Sequence, residues 1–226
     1  MKLLDAYCGA GLAALGYTQA GFECTGIDIE KKSCYAGGTF VLADALEVLK
    51  DVSYCRKFDA IHASPPCQRY SKSTAVHRSK GKEYPDLISE TRQLLDKIGR
   101  PYVIENVPSA PIRHDIVLLG HMFGLNVIRK RAFELGGWFM LCPLPPKQIG
   151  SVYSGDFVSI FGKAGYRKHS TLPIGWEPKF KQKTILKTWH YAMGIPEGYN
   201  FRDTEVSEGI PPAYTKYIGE HLIQII

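Results

Sequence analysis

The sequence predicts an α/β protein: a doubly wound, Rossmann-like sheet that carries a small loop-rich appendage. Three observations predict it. In the first half of the chain, short apolar runs alternate with amphipathic or small-residue segments, the pattern of parallel strands joined by crossover helices. The residues that stand out chemically, Asp5, Gly9, Gly11, Asp28, Asp44 and Cys67, all follow the end of such a run or close it. At 226 residues, with 45% hydrophobic and 22% charged side chains, the chain can bury one full core and is too short for a multidomain array.

Lys2 to Tyr7 reads as the first strand, and Leu12, Leu15 and Ala20 mark a helix packed on it, with Gly9, Gly11 and Gly16 among small residues. Phe22 to Ile29 is the second strand, with Asp28 near its end, and Thr39 to Leu42 is the third, closed by Asp44. A short helix over Ala45 to Val52 leads to a fourth strand, Phe58 to Ala63. That strand runs into Ser64-Pro65-Pro66-Cys67-Gln68, and two consecutive prolines turn the chain out of a sheet. Leu87, Leu94, Leu95 and Ile98 share one face of a helix over Asp86 to Ile98, and Pro101 to Ile104 is a fifth strand ending at Glu105-Asn106. From Gly136 to Trp189 periodicity fades into Gly, Pro, Lys and aromatic residues, with short strand-like pieces such as Phe157 to Phe161. Residues 136–189 are therefore expected to form a separate small region, and 1–135 plus 190–226 the main domain. A final helix, Ala213 to Ile223, is started by proline.

The chain carries 28 Lys and Arg against 22 Asp and Glu, a net charge of +6 that is unevenly placed. Between Lys163 and Lys187 stand seven basic residues and one acid, Glu177; a second cluster is Arg69, Lys72, Arg78, Lys80 and Lys82, opposed by Glu83. Such fields favour polyanions. Six cysteines without C-x-x-C spacing fit reduced thiols better than a disulfide framework or zinc, so no metal is expected. No apolar run approaches the roughly 18 residues of a membrane span, and a cytoplasmic protein without membrane contact is expected.

In doubly wound sheets ligands bind beyond the carboxyl ends of the strands. The stretch Asp5-Ala6-Tyr7-Cys8-Gly9-Ala10-Gly11 lies there but departs from the dinucleotide G-x-G-x-x-G spacing. A carboxylate after the second strand, Asp28, can accept both hydroxyls of a ribose, and Asp44 after the third can accept an adenine amino group. No phosphate-cradling lysine motif is present, so an adenosine ligand without phosphates, S-adenosylmethionine, suits the set best. Cys67 on its proline turn is placed near a helix start, which would favour the thiolate. Glu105 at a sheltered strand end can act as an acid or hydrogen-bond donor. Arg129 and Arg131 offer guanidinium donors to a carbonyl or phosphate. Cysteine, carboxyl and guanidinium beside such a pocket suit attack on a pyrimidine ring.

With these residues in view the chain resembles the DNA cytosine-5 methyltransferase family, and looks most like its short bacteriophage members. Asp5-x-Tyr7-Cys8-Gly9-x-Gly11 is similar to the family's first motif, Ser64-Pro65-Pro66-Cys67-Gln68-x-Tyr70-Ser71 to its catalytic motif, Glu105-Asn106-Val107 to its glutamate motif and Arg129-x-Arg131 to its arginine motif. Met193-Gly194-Ile195-Pro196 and Pro212-Ala213-Tyr214-x-x-Tyr217-Ile218-Gly219 resemble the closing motifs. The resemblance implies that Cys67 adds to C6 of cytosine, Glu105 holds or protonates N3, and Arg131 contacts O2 with Arg129 in support. It implies that Tyr7 and Ile29 pack on adenine, Asp28 takes the ribose and Asp44 the adenine amino group, with Asp5, Gly9, Gly11 and Pro66 completing the cofactor site. The target base must be flipped from its duplex, and the loop Gln68 to Glu83, with Gln68, Ser71, Lys72 and Arg78, would close over it. Lys163, Arg167 and Lys168, with Lys179, Lys181 and Lys183, would meet phosphates. Asn106, Pro66 and Ser71 would shape the site rather than react. Glu220 stands where the family has asparagine, and its charge argues against a cofactor with an additional carboxylate. Double-stranded DNA acted on by a monomer is the resulting expectation, with or without a restriction partner. A transfer-RNA enzyme of the same chemistry and an inactive DNA-binding homologue are the alternatives.

Overall fold

The computed structural model of the chain describes residues 1–32, 34–71, 74–75, 79–162 and 176–226. Its strands are β1 (Lys2–Ala6), β2 (Glu23–Asp28), β3 (Gly38–Leu42), β4 (Ala60–Ala63), β5 (Tyr102–Asn106), β6 (Ile116–Leu118) and β7 (Arg131–Gly136). They form one sheet in the order β3-β2-β1-β4-β5-β7-β6. Strand order reverses between β1 and β4, so the loops that follow these two strands flank the switch point. The first five strands are parallel, as expected. The far edge is not: β7 runs antiparallel between β5 and β6. A parallel pair needs a long crossover, and the link from β6 to β7 contains only the 3₁₀ turn Gly120–Phe123.

The helices are α1 (Leu12–Gln19), α2 (Ala45–Lys50), α3 (Val52–Cys55), α4 (Ile88–Ile98), α5 (Ile185–Met193), α6 (Asp203–Glu208) and α7 (Pro212–Leu222). On one sheet face Leu3, Val103 and Phe133 pack with Tyr17, Tyr214 and Ile218; on the other Leu4, Ile61 and Ile104 pack with Leu49, Ile88 and Leu95. These alternating strand positions are the period-2 pattern of a sheet covered on both sides. The helix expected over Ala45 to Val52 is broken at Asp51, whose carboxylate accepts the Tyr54 N–H at 2.9 Å and starts α3.

A third cluster joins Ala10 of the first loop and Leu12 at the start of α1 to Val158, Ile160, Trp189 and Met193. Helix α5 therefore crosses the boundary expected after residue 189. Thr184 begins it by accepting the Lys187 N–H, and Trp189 is fully buried, so this end of the loop-rich region packs against Ala10 and Leu12 of the main domain.

The crossover from β2 to β3 has no described helix. Tyr35 covers the sheet there instead, its ring against Gly11, Gly26 and Gly37 and its hydroxyl 3.4 Å from Asp5 Oδ2. No described helix is long and apolar enough to cross a membrane.

Candidate active site

The loops after β1, β2, β4 and β5 meet at the carboxyl edge of the sheet. After β1 the chain turns sharply, with Tyr7, Gly9 and Gly11 all at positive φ. Gly11 is required twice over, since a Cβ there would also stand 2.7 Å from the Tyr35 ring. Asp28 fixes this loop: Oδ2 accepts the Gly9 N–H and Oδ1 the Glu30 N–H, both at 2.9 Å. Each oxygen keeps a second lone pair, so the carboxylate can still receive ribose hydroxyls. Ile29, next to it, is 67% exposed, an apolar surface beside a polar anchor. Tyr7 is half-buried and tied through its hydroxyl to Thr91 Oγ1 at 2.8 Å. Asp44 is exposed and caps α2, accepting from Leu46 N at 2.8 Å. These residues fit an adenosine group without phosphates. Their donors are few and their acceptors many, the reverse of a pyrophosphate cradle.

Sequence reading missed three side chains near this cleft. Lys32 pairs with Glu30 at 2.8 Å and lies in the field of Asp28 and Glu208. Burial pushes the Glu208 carboxyl up, Lys32 pulling it back. Tyr35 is the third, and its only signal is an aromatic residue just before Ala36-Gly37-Gly38.

Cys67 sits on the opposite wall. Asn106 holds its loop, donating from Nδ2 to the Pro65 carbonyl at 2.9 Å while its Oδ1 accepts the Val107 N–H. Beyond the thiol the Cys67 carbonyl accepts the N–H groups of Tyr70 and Ser71, making a turn. Thr74 closes that turn on the Gln68 carbonyl. The expectation of a favoured thiolate is corrected here: burial pushes the Cys67 thiol above its ordinary value, Glu105 adds to the rise, and Arg131 and Arg129 oppose it.

Glu105 and Arg131 come together across the β5–β7 pair, Arg131 Nε lying 2.9 Å from Glu105 Oε1 with both side chains sheltered. Arg129 is different in kind. It is half-buried with its Nε enclosed, at positive φ, and its guanidinium donates to the carbonyls of Ile160 at 3.1 Å and Ser207 at 2.6 Å. Tyr214 donates to its carbonyl at 3.0 Å. Burial, with Arg131 second, pulls its pKa down to about 9. Arg129 thus clamps the 160 loop and α6 behind Arg131.

Lys72, Arg78, Lys163, Arg167 and Lys168, and with them much of both basic clusters, fall outside the described residues. Lys179 pairs with Asp156 and Lys181 with Glu177, so both already have carboxylate partners within the chain. Glu220 lies on the exposed side of α7 beside Lys216, away from the buried face, and its charge carries no argument about the cofactor. Among the described residues no cluster of His, Cys, Asp and Glu could hold a metal, and none of the six cysteines is in a disulfide.

The family model described as C-5 cytosine-specific DNA methylase matches residues 1–113. Solved structures similar to the chain include a protein described as a DNA modification methyltransferase encoded within an E. coli prophage. It is 15% identical, with a TM-score of 0.63 over 100% of this chain and 99% of that one. A mutant of Spodoptera frugiperda DNMT2 is similar at 14% identity and TM-score 0.64, covering 98% and 99% of the two chains. The Dnmt2 methyltransferase of S. pombe follows at 14% identity and TM-score 0.60, over 99% and 98%. None of the curated proteins compared matches the chain.

Proposed function

The chain belongs to the C-5 cytosine-specific DNA methylase family, and on that footing we propose that it methylates C5 of cytosine in double-stranded DNA through a covalent bond from Cys67 to C6. The observation that carries this reading is the Glu105–Arg131 pair at 2.9 Å, in whose field the Cys67 thiol lies. S-adenosylmethionine, when bound, supplies an electrophilic methyl group; Asp28, Ile29, Tyr7, Asp44, Gly9 and Gly11 are the residues that would hold it, with Asp5 beneath and Pro66 opposite.

The resting thiol is held protonated, so attack requires that its proton be lost and its anion stabilised. Glu105 and Arg131 supply that coupling. The proton leaving Sγ passes through water to the Glu105 carboxylate, which shares it with N3 of cytosine; so neutralised, Glu105 no longer repels the thiolate, while both arginines still attract it. Sγ then bonds to C6, the ring electrons move toward C5, and proton sharing at N3 with Arg131 at O2 keeps charge from accumulating on the ring. Once C5 carries the methyl group its own proton passes to water, and the electrons of that C–H bond expel Sγ from C6; the aromatic ring and the thiolate are restored and N3 returns its proton to Glu105. Because C5 and C6 lie inside a stacked duplex, the base must leave the stack, at a cost of about a few kcal/mol. The enzyme acts as a monomer in this reading.

Nucleoside mass spectrometry on duplex DNA and on transfer RNA, each incubated with S-adenosylmethionine, tests it. The expected result is 5-methylcytosine in DNA alone, and none with Cys67→Ala, which should retain cofactor affinity. Product in RNA alone would replace the substrate; product from Cys67→Ala would remove the covalent step.

A further inference from the structure

Two successive prolines delete two backbone donors from the nucleophile loop, so its position depends on the polar atoms that remain. Three of these are engaged. Ser64 N–H donates to the Ala6 carbonyl at 3.1 Å, the Pro65 carbonyl accepts from Asn106, and Ser64 Oγ lies 2.9 Å from His62 Nε2. The last contact continues inward, for His62 Nδ1 lies 3.1 Å from the Tyr17 hydroxyl. A line of three side chains thus runs from α1, through β4, to the residue three positions before Cys67.

Tyr17 and His62 are fully buried, their rings edge to face with centroids 5.3 Å apart. Burial holds the imidazole neutral, with its pKa down at about 3. One ring nitrogen therefore donates and the other accepts, and the line is satisfied in either sense. The Tyr17 O–H donates to Nδ1 while Nε2–H donates to Ser64, or the Ser64 hydroxyl donates to Nε2 while Nδ1–H donates to Tyr17. Packing alone does not ask for this. The neighbours of His62 on β4 are Ala60, Ile61 and Ala63, and an aliphatic side chain would fill the same layer without a polar ring to satisfy.

We propose that Tyr17, His62 and Ser64 are positioning residues for the nucleophile. They fix the sheet end of the Pro65-Pro66-Cys67 loop, as Asn106 fixes its middle, and so keep Sγ beside the Glu105–Arg131 pair. The catalytic consequence rests on the reading of Cys67 given above; the mechanical consequence does not.

Ser64→Ala cuts the line at the loop and Tyr17→Phe cuts it at the helix, each keeping the side chain's packing. Two readouts accompany the melting temperature. The first is the rate of Cys67 alkylation by iodoacetamide, followed on its own peptide by mass spectrometry. The second is the rate of covalent trapping on a 5-fluorocytosine duplex with saturating S-adenosylmethionine. Both variants should alkylate Cys67 several-fold faster and trap roughly 10- to 100-fold more slowly, the scale of a displaced reacting group, with duplex and cofactor affinities within about twofold. Ser64→Thr, which restores a hydroxyl, should recover most of both rates. If alkylation and trapping per folded molecule stay at wild-type values while only the melting temperature falls, the line serves the core alone and the proposal is overturned. A wild-type protein that never traps, with alkylation still altered in the variants, would sink the covalent methyl-transfer reading and leave the positioning role supported.

Discussion

Arg129 and Arg131 stand two positions apart and do different work. Arg131 meets Glu105 at 2.9 Å, while Arg129, half-buried, holds two backbone carbonyls with its guanidinium. Arg131→Ala should therefore abolish methylation with little change in melting temperature. Arg129→Met leaves the Ile160 and Ser207 carbonyls without their donor and should destabilise the fold by about 2–4 kcal/mol, as measured by urea denaturation. Asp5 gives a second test. Burial, partly offset by Tyr35, pushes its carboxyl up to about 8 from an unfolded value near 3.9. The raised value favours the protonated folded state, so its contribution is fully present below about pH 4 and is lost as pH rises toward 8. Asp5→Asn removes that dependence. Its melting temperature relative to wild type should climb between pH 5 and pH 8, by the equivalent of at most about 1.4 kcal/mol per pH unit, and a flat difference would show that Asp5 ionises normally. Cys67, Glu105 and Arg131 could be picked out of the sequence because each is a reactive type at a strand end. The division of labour between the arginines could not, since it depends on which carbonyls the fold brings to each.

At the scale of elements, the β2–β3 link is unusual in trading a described helix for one aromatic ring. A Cβ added to Gly26 would lie 2.4 Å from the Tyr35 ring, inside a layer that has no room to yield. Gly26→Ala should cost about 1–3 kcal/mol of stability. Thermal melting checks this, and partial recovery in a Gly26→Ala, Tyr35→Leu double variant would locate the clash in the ring. Strands β1, β2, β4 and β5 were legible because they are largely buried and end in punctuating residues, and the edge strand β3 by its closing Asp44. The three-residue edge strand β6 and its inner neighbour β7 were not, since their antiparallel pairing is set by β5 and by each other rather than by a local pattern. Nor was the polar core beneath Glu134, where Arg92 and Arg113 converge on a fully buried carboxylate from separate stretches of chain. The one clue to the Tyr17–His62 pair was a histidine set within an apolar strand.

For the whole molecule, the proposed duplex substrate and a net charge of +6 predict salt-sensitive binding, with the slope of log K against log salt near −0.9 per phosphate contact. Lys179 and Lys181 already carry carboxylate partners, so Lys183→Ala should lower that slope by about one while Lys179→Ala changes it less. Fluorescence anisotropy across a salt series checks both, and equal slopes for all three proteins would place the phosphate contacts elsewhere. The order of motifs along the chain was enough to specify the parallel part of the sheet, its switch point and a set of candidate reactive side chains, because hydrophobic period and strand-end chemistry are local properties. Folding alone decided that burial holds the Cys67 thiol protonated, that Arg129 is a clamp, that α5 packs against the main domain and that Glu220 faces solvent. Each of these turns on burial and on partners distant in sequence, and such neighbours exist only once the chain has closed on itself.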